Sequence, residues 1–176
     1  MAFPGDEQLD PQRQEKLAAA EHRLRRTDRC WCSPALGAIQ TAEALQLDAI
    51  IEPMLRDCDY GRWSGRLFDD VQAQEPEALT EWLRDPDAAP HGGESIVDLI
   101  RRVAAWLEMQ NGVRGKTVAI THASVIRAAI VHAIEGNPRS FWRIDVAPLS
   151  VAALSGNGGR WTLSTIGPLT GPETQI

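Results

Sequence analysis

In the stretch VAITHASVIRAAI (118–130), His122 ends a short apolar run and precedes a segment of small and apolar residues. A histidine at the carboxyl end of a buried strand is well placed for chemistry, because ligands of parallel α/β sheets gather there. The backbone N–H groups of Ala123 and Ser124, opening the next helix, would face an anion with the positive helix end behind them. A neutral imidazole would offer one hydrogen bond to a phosphoryl oxygen, and an imidazolium would offer charge as well. A second run of chemistry-bearing residues is LRDCDYGRWSG (55–65), polar and Gly-punctuated, which sets Asp57, Cys58 and Tyr60 on one irregular loop. A Cys58–His122 pair with a neighbouring carboxylate would make a thiol-based hydrolase; the plainer alternative is an ordinary loop cysteine. Cys30 and Cys32, two apart in RCWCS, point to one face of a strand. No second ligand pair has metal-site spacing, so they read as small core residues.

The elements that must position these groups follow from pattern. Pro11 can open a helix running over 11–26. A short strand over 29–32 precedes a helix over 34–45, and LDAIIEPML (47–55) supplies a second strand of β-branched character. Two short helices are expected over 68–74 and 76–84, then the Pro/Gly-rich connection DPDAAPHGGES. Ser95 is an N-cap candidate for a helix whose Ile96, Leu99, Ile100, Val103 and Leu107 keep the spacing of one buried face. KTVAIT (116–121) is a continuous apolar strand of the kind buried on both sides in a parallel sheet. The stretch LSVAALSGNGGRWTLSTIG reads as two strands joined by a turn at 157–159. Alternating strands and helices imply a three-layer α/β/α fold with a mostly parallel sheet. One domain over 1–168 and a loose tail over 169–176 are expected.

The totals narrow the function classes. Among 176 residues, 43% are hydrophobic and 24% charged, which suits a globular chain with a sizeable core. A net charge of −6 argues against nucleic acid or an anionic membrane as the main partner. No run approaches the ~18 apolar residues of a membrane span. Three cysteines, an odd number, suit a reducing cytoplasm better than a disulfide framework. The opening MAFPGDEQLD has no basic region followed by an apolar one, so no signal peptide is expected.

SPALGAIQTAEAL, LRDCDYGRWSG, HGGES and ITHASVIRAAI occur in the order and at about the spacing of the histidine phosphatase superfamily, the phosphoglycerate-mutase-like phosphomonoesterases and mutases. FPGDEQLDP also resembles the segment after that family's N-terminal motif. The resemblance implies the phosphoglycerate-mutase-like fold and covalent catalysis. An Arg-His-Gly motif on the first strand supplies a nucleophilic His, a second Arg and a second His surround the phosphoryl group, and a carboxylic acid protonates the leaving oxygen. By position His122 matches the second His and Asp57 the acid. Tyr60 matches a substrate-contacting Tyr, while Glu94 and Ser95 match the pocket rim. Ala123 offers its backbone N–H to the substrate. The resemblance implies no metal and no organic cofactor, a phosphorylated small molecule or phosphate as partner, and a family that often forms homodimers.

The departures set the functional expectation. No Arg-His-Gly occurs, and the chain starts where that first strand and its loop would have ended. Gly37 stands where the resemblance places the second Arg. None of the remaining histidines substitutes easily: His22 reads as solvated on a helix, His91 as an exposed loop residue that could approach the rim, and His132 as ten residues past the strand end. The expectation is a histidine-phosphatase-like protein with an impaired or absent phosphoryl-transfer site, retained for binding. The alternative is an active phosphomonoesterase or phosphomutase whose first strand was lost to a misassigned start.

Overall fold

The computed structural model describes residues 2–5, 7–20, 24 and 26–169. Helix α1 spans Pro11–Ala20, with Pro11 at its start as fits a residue lacking an N–H. The expected continuation to 26 is cut short: Leu24 and Arg26 are in turn conformation, and His22 lies outside the described residues. Strand β1 (Arg29–Cys32) leads through Ser33-Pro34-Ala35 into α2 (Leu36–Ala44). The expected strand over 47–55 shortens to β2 (Ala49–Ile51), because Pro53 opens a one-turn 3-10 helix, Pro53–Leu55. The Glu52 side chain caps that turn by accepting from the Met54 N–H at 2.9 Å.

Helices α3 (Phe68–Gln74) and α4 (Pro76–Arg84) follow as the pattern dictates. Helix α5 (Ile96–Gln110) starts after Ser95, whose hydroxyl accepts from the Asp98 N–H at 3.1 Å. Strand β3 (Thr117–Ile120), helix α6 (Ala123–Ala133) and a 3-10 segment, Pro138–Arg143, lead to a hairpin of β4 (Ser150–Asn157) and β5 (Arg160–Pro168). Gly158 and Gly159, both at positive φ, form its two-residue turn, a conformation that L side chains resist.

Three strands form a parallel sheet in the order β2-β1-β3, with Cys32 opposite both Ile51 and Ile120. Two apolar clusters cover its faces. One combines α5 and α6 with Trp63, Trp82 and Phe141; the other combines Leu17 of α1 with Ala38 and Ala42 of α2. The hairpin reaches both, Leu154 and Trp161 packing on the first and Leu149 and Val151 on the second. Among the described residues β3 is hydrogen-bonded only to β1 and β4 only to β5. The parallel sheet and the hairpin are separate sheets, and Val118, Ala119 and the residues 151–154 are half-buried.

At the N-terminal side, Phe3 donates its N–H to the Arg66 carbonyl and its buried ring packs between Tyr60, Trp63 and Trp82. At the other end Leu169 is buried and donates its N–H to Leu149, so anchored structure runs one residue past 168. The rest of the expected tail, 170–176, lies outside the described residues.

Candidate active site

Pairing of β1 with β3 fixes the centre of the site. Ser33 follows β1, donates its N–H to the Ile120 carbonyl at 2.9 Å, and so stands beside the residues that leave β3. His122 occupies the N-cap position of α6. Its Nε2 is 2.8 Å from the Ser33 Oγ, which also accepts from the Ala35 N–H at 3.3 Å. On the other side of the ring, His122 Nδ1 is 3.5 Å from Asp57 Oδ2. Asp57 Oδ1 accepts from the Cys58 N–H at 2.7 Å and from the Ser124 hydroxyl in a short hydrogen bond. The imidazole is thus held between a hydroxyl and a carboxylate at the carboxyl ends of the strands. The backbone N–H groups of Ala123 and Ser124 open α6 beside it.

The loop bearing Asp57 is fastened by one arginine. Arg102, on α5, donates to the Glu94 carboxylate at 2.8 and 2.7 Å and to the carbonyls of Met54, Arg56 and Asp57. Only 10% of either side chain in this pair is exposed. The Thr121 hydroxyl adds a bond to the Leu55 carbonyl at 2.7 Å, tying the end of β3 to the same loop. Two glycines let the rim segment cross the loop closely. A side chain at Gly61 would strike the His91 carbonyl, and one at Gly93 the Asp59 carbonyl. The space is taken by main-chain bonds, Arg62 N–H to His91 and Glu94 N–H to Asp59.

Tyr60 is half-buried beside Asp57, Ser124 and Arg127. Burial first, and then the Asp57 charge, push its phenol far above the ordinary tyrosine range, with Arg127 and the Ser124 hydroxyl opposing. Ser95 is buried beneath the rim, its hydroxyl spent on Asp98 at 2.8 Å. Cys58 is buried, its thiol turned to the Asp59 and Glu94 carbonyls; burial, with Glu94 and Asp57 nearby, holds it protonated well above its ordinary range. Burial likewise pushes Cys30 and Cys32 up to about 11, as suits core residues.

The other described histidines have different partners, and His91, expected as an exposed loop residue, is buried instead. His91 is buried against Trp63, ring centroids 4.9 Å apart, and its Nδ1 accepts from the Gly93 N–H. His132, in the last turn of α6, pairs with Glu108 at 3.3 Å. At Gly37, a Cβ would lie 2.9 Å from the Glu7 carbonyl, so a backbone segment passes where a side chain would start. Among the described residues, no cluster of three or more His, Cys, Asp or Glu has the geometry to hold a metal ion. No helix among them is long and apolar enough to cross a membrane.

Pattern pointed to His122, and the family resemblance to Asp57 and Tyr60; the fold brings the three together. Ser33, the hydroxyl of Ser124 and Arg102 escaped notice. Ser33 had one available signal: it directly follows a strand expected beside that of His122.

Comparison with known proteins places this site in a family. The profile of the histidine phosphatase superfamily (branch 1) matches residues 3–167. A bifunctional protein of Mycobacterium tuberculosis is 32% identical over 125 residues, 69% of this chain and 34% of that protein. The chain thus spans about a third of the length of the first curated relatives it matches. Phosphoserine phosphatase 1 of Hydrogenobacter thermophilus is 30% identical over 147 residues, covering 76% of this chain and 70% of that enzyme. A mycobacterial glucosyl-3-phosphoglycerate phosphatase in complex with inorganic phosphate superposes with a TM-score of 0.84 at 22% identity, over 98% of this chain and 93% of that one. At that identity the superposition speaks for the fold, which matches the α/β architecture with a parallel sheet expected above. The family match itself spans nearly all of the chain: it belongs to the histidine phosphatase superfamily, branch 1.

Proposed function

We propose that this chain keeps the ligand-binding half of a phosphoryl site and has impaired or absent turnover, binding phosphate or a phosphorylated small molecule at His122. One observation carries the reading. Of the histidines in the described residues, His122 alone stands at the strand ends, and it faces a hydroxyl and a carboxylate there. A His nucleophile needs a second imidazole in line with the phosphorus, and phosphoryl transfer needs dense positive charge around it. The sequence has no Arg-His-Gly, and Gly37 is pressed against the Glu7 backbone.

In this reading His122 and the Ala123 N–H receive the phosphoryl oxygens, Asp57 stands on the leaving-group side, and Tyr60 lines the substrate wall. Glu94 and Ser95 shape the rim indirectly, through Arg102 and Asp98. That a relative is a phosphoserine phosphatase and a structural neighbour binds inorganic phosphate supports the ligand class. The three unpaired thiols suit a reducing, cytoplasmic setting. A homodimer would be in keeping with the family resemblance.

The lack of hydrogen bonding between the parallel sheet and the hairpin among the described residues favours a second reading, in which turnover requires an added strand that brings the nucleophile. One experiment separates the two. The chain is assayed for phosphomonoesterase activity alone and with a peptide carrying an Arg-His-Gly strand, with His122→Ala as control. The first reading expects no His122-dependent turnover in either case, and a rise in melting temperature with millimolar phosphate. Turnover by the chain alone at an enzyme-like rate, or no phosphate shift, overturns it; turnover only with the peptide establishes the second.

A further inference from the structure

We infer that Ser33 is a positioning residue that fixes His122 as the Nδ1–H tautomer, so that its N–H points toward Asp57 and an incoming phosphoryl oxygen. The inference rests on the phosphate-binding reading above only for its consequence, since the tautomer is a property of the free protein.

The argument follows the hydroxyl proton. A serine hydroxyl has one proton to donate and two acceptor positions. Ser33 Oγ already accepts from the Ala35 N–H at 3.3 Å. Ser33 is fully buried, and among the described residues the one side-chain acceptor its hydroxyl reaches is His122 Nε2 at 2.8 Å. If Nε2 carried a proton, it would donate to Oγ, and the hydroxyl proton would be left in a buried site with no acceptor, which is costly. With Nε2 unprotonated, the hydroxyl donates to it and every group is satisfied.

The far side of the ring agrees. Asp57, held by the Cys58 N–H and the Ser124 hydroxyl, presents an acceptor oxygen 3.5 Å from Nδ1 and favours a proton there. Two partners from different elements thus select the same tautomer. The Ser33–His122–Asp57 order resembles a hydrolytic triad, but complete burial denies Ser33 a nucleophile's access to substrate. Its role is to aim the imidazole, and a tetrahedral oxyanion would share the Nδ1–H with Asp57.

The test is 15N NMR of the His122 ring in the ligand-free chain, with Ser33→Ala and Ser33→Thr. The wild type is expected to show the Nδ1–H pattern near neutral pH. Ser33→Ala should shift the ring toward Nε2–H or imidazolium, and Ser33→Thr, which keeps the hydroxyl, should restore the wild-type pattern. Phosphate affinity should fall up to about tenfold in Ser33→Ala, the equivalent of one misdirected hydrogen bond. A wild-type Nε2–H tautomer, or an unchanged ring in Ser33→Ala, overturns the inference. Phosphate titration of the wild type separately decides the binding reading: no binding there, with the expected tautomers, sinks that reading and leaves the assignment of Ser33 standing.

Discussion

Two consecutive arginines on α5 give the sharpest test of what holds the site. Arg101 pairs with Asp98 at 3.0 Å, with 72% and 57% of the two side chains exposed. Arg102 pairs with Glu94 at 2.7 Å with 10% of each exposed, and it also serves three main-chain carbonyls. Arg102→Met keeps the stem and removes every one of these bonds, leaving the buried Glu94 carboxylate to the half-exposed Arg56, 3.9 Å away. Losing one partner of such a pair costs about 3–5 kcal/mol, a large part of the ~5–15 kcal/mol that stabilises a typical domain. In a chain of this size each kcal/mol moves the midpoint by roughly 2–4 °C, so a fall of about 6–20 °C is expected. Arg101→Met should cost no more than ~1 kcal/mol, because an exposed pair is screened and entropically taxed. The measurement is urea and thermal unfolding of both variants at neutral pH, with Glu94→Gln/Arg102→Met as a third. The double variant should recover part of the loss, since no buried charge remains. Equal effects at 101 and 102, or a double variant no better than Arg102→Met, would refute the idea that Arg102 fastens the Asp57 loop through Glu94.

Further outcomes follow from the same geometry. Gly37→Arg places a Cβ 2.9 Å from the Glu7 carbonyl, so overpacking should cost roughly 1–3 kcal/mol in thermal unfolding, with no gain in phosphate affinity; a stable variant that binds phosphate more tightly would show the 7–9 segment yields readily. Tyr60 is the sole tyrosine, so absorbance near 295 nm reports it alone; burial and Asp57 should keep phenolate from forming above pH 10 until the chain unfolds, and an ordinary tyrosine titration of the folded protein would contradict this. Burial lowers the pKa of His91, outweighing Asp59, so the folded state favours the neutral ring while the unfolded chain takes up a proton near pH 6.5. Stability should therefore fall as pH drops below that value, with a shallower fall in His91→Asn; identical slopes in denaturation from pH 7 to 5 would exclude the effect. Asp57→Asn removes a carboxylate next to Nδ1 and should tighten phosphate binding by calorimetry; weaker binding would mean that Asp57 aims the ring more than it repels the ligand.

How far the sequence foretold this arrangement depends on where the information lay. The elements with strong period, α5 with its Ser95 cap and the apolar β3, were legible because local pattern and burial agree there. Strand β2 was overread because β-branched residues continue the pattern until Pro53 breaks it. His122 and Asp57 were visible as chemistry-bearing types within recognisable motifs. Their joint geometry was not, since Asp57 meets His122 and Ser124 across more than sixty positions of chain. Arg102 was hidden for a different reason. A charged position on a helix reads as solvent-facing, and only the docking of three carbonyls and Glu94 around it shows that it is buried.

That last point bears on the proposal that the site binds without turning over. Arg102 lies close to the Asp57 loop, but its donors are committed to Glu94 and three main-chain carbonyls. Arg127 stands near Tyr60, with its Nε given to the Ile144 carbonyl at 2.8 Å and its guanidinium over the Phe141 ring. Arg62 and Arg66 are both engaged by Glu75, whose carboxyl they hold down to about 2. The charge that a phosphoryl transition state demands is therefore largely spent on structure, while Asp57 adds a negative group beside the imidazole. In the proposed complex the donors offered to a phosphoryl group are an imidazole N–H shared with Asp57, a tyrosine hydroxyl that meets Ser124, and the amides opening α6. Such donors can recognise a tetrahedral oxyanion by shape and direction. They do little for the extra charge that develops in the transition state, and this difference separates a binding site from a catalytic one.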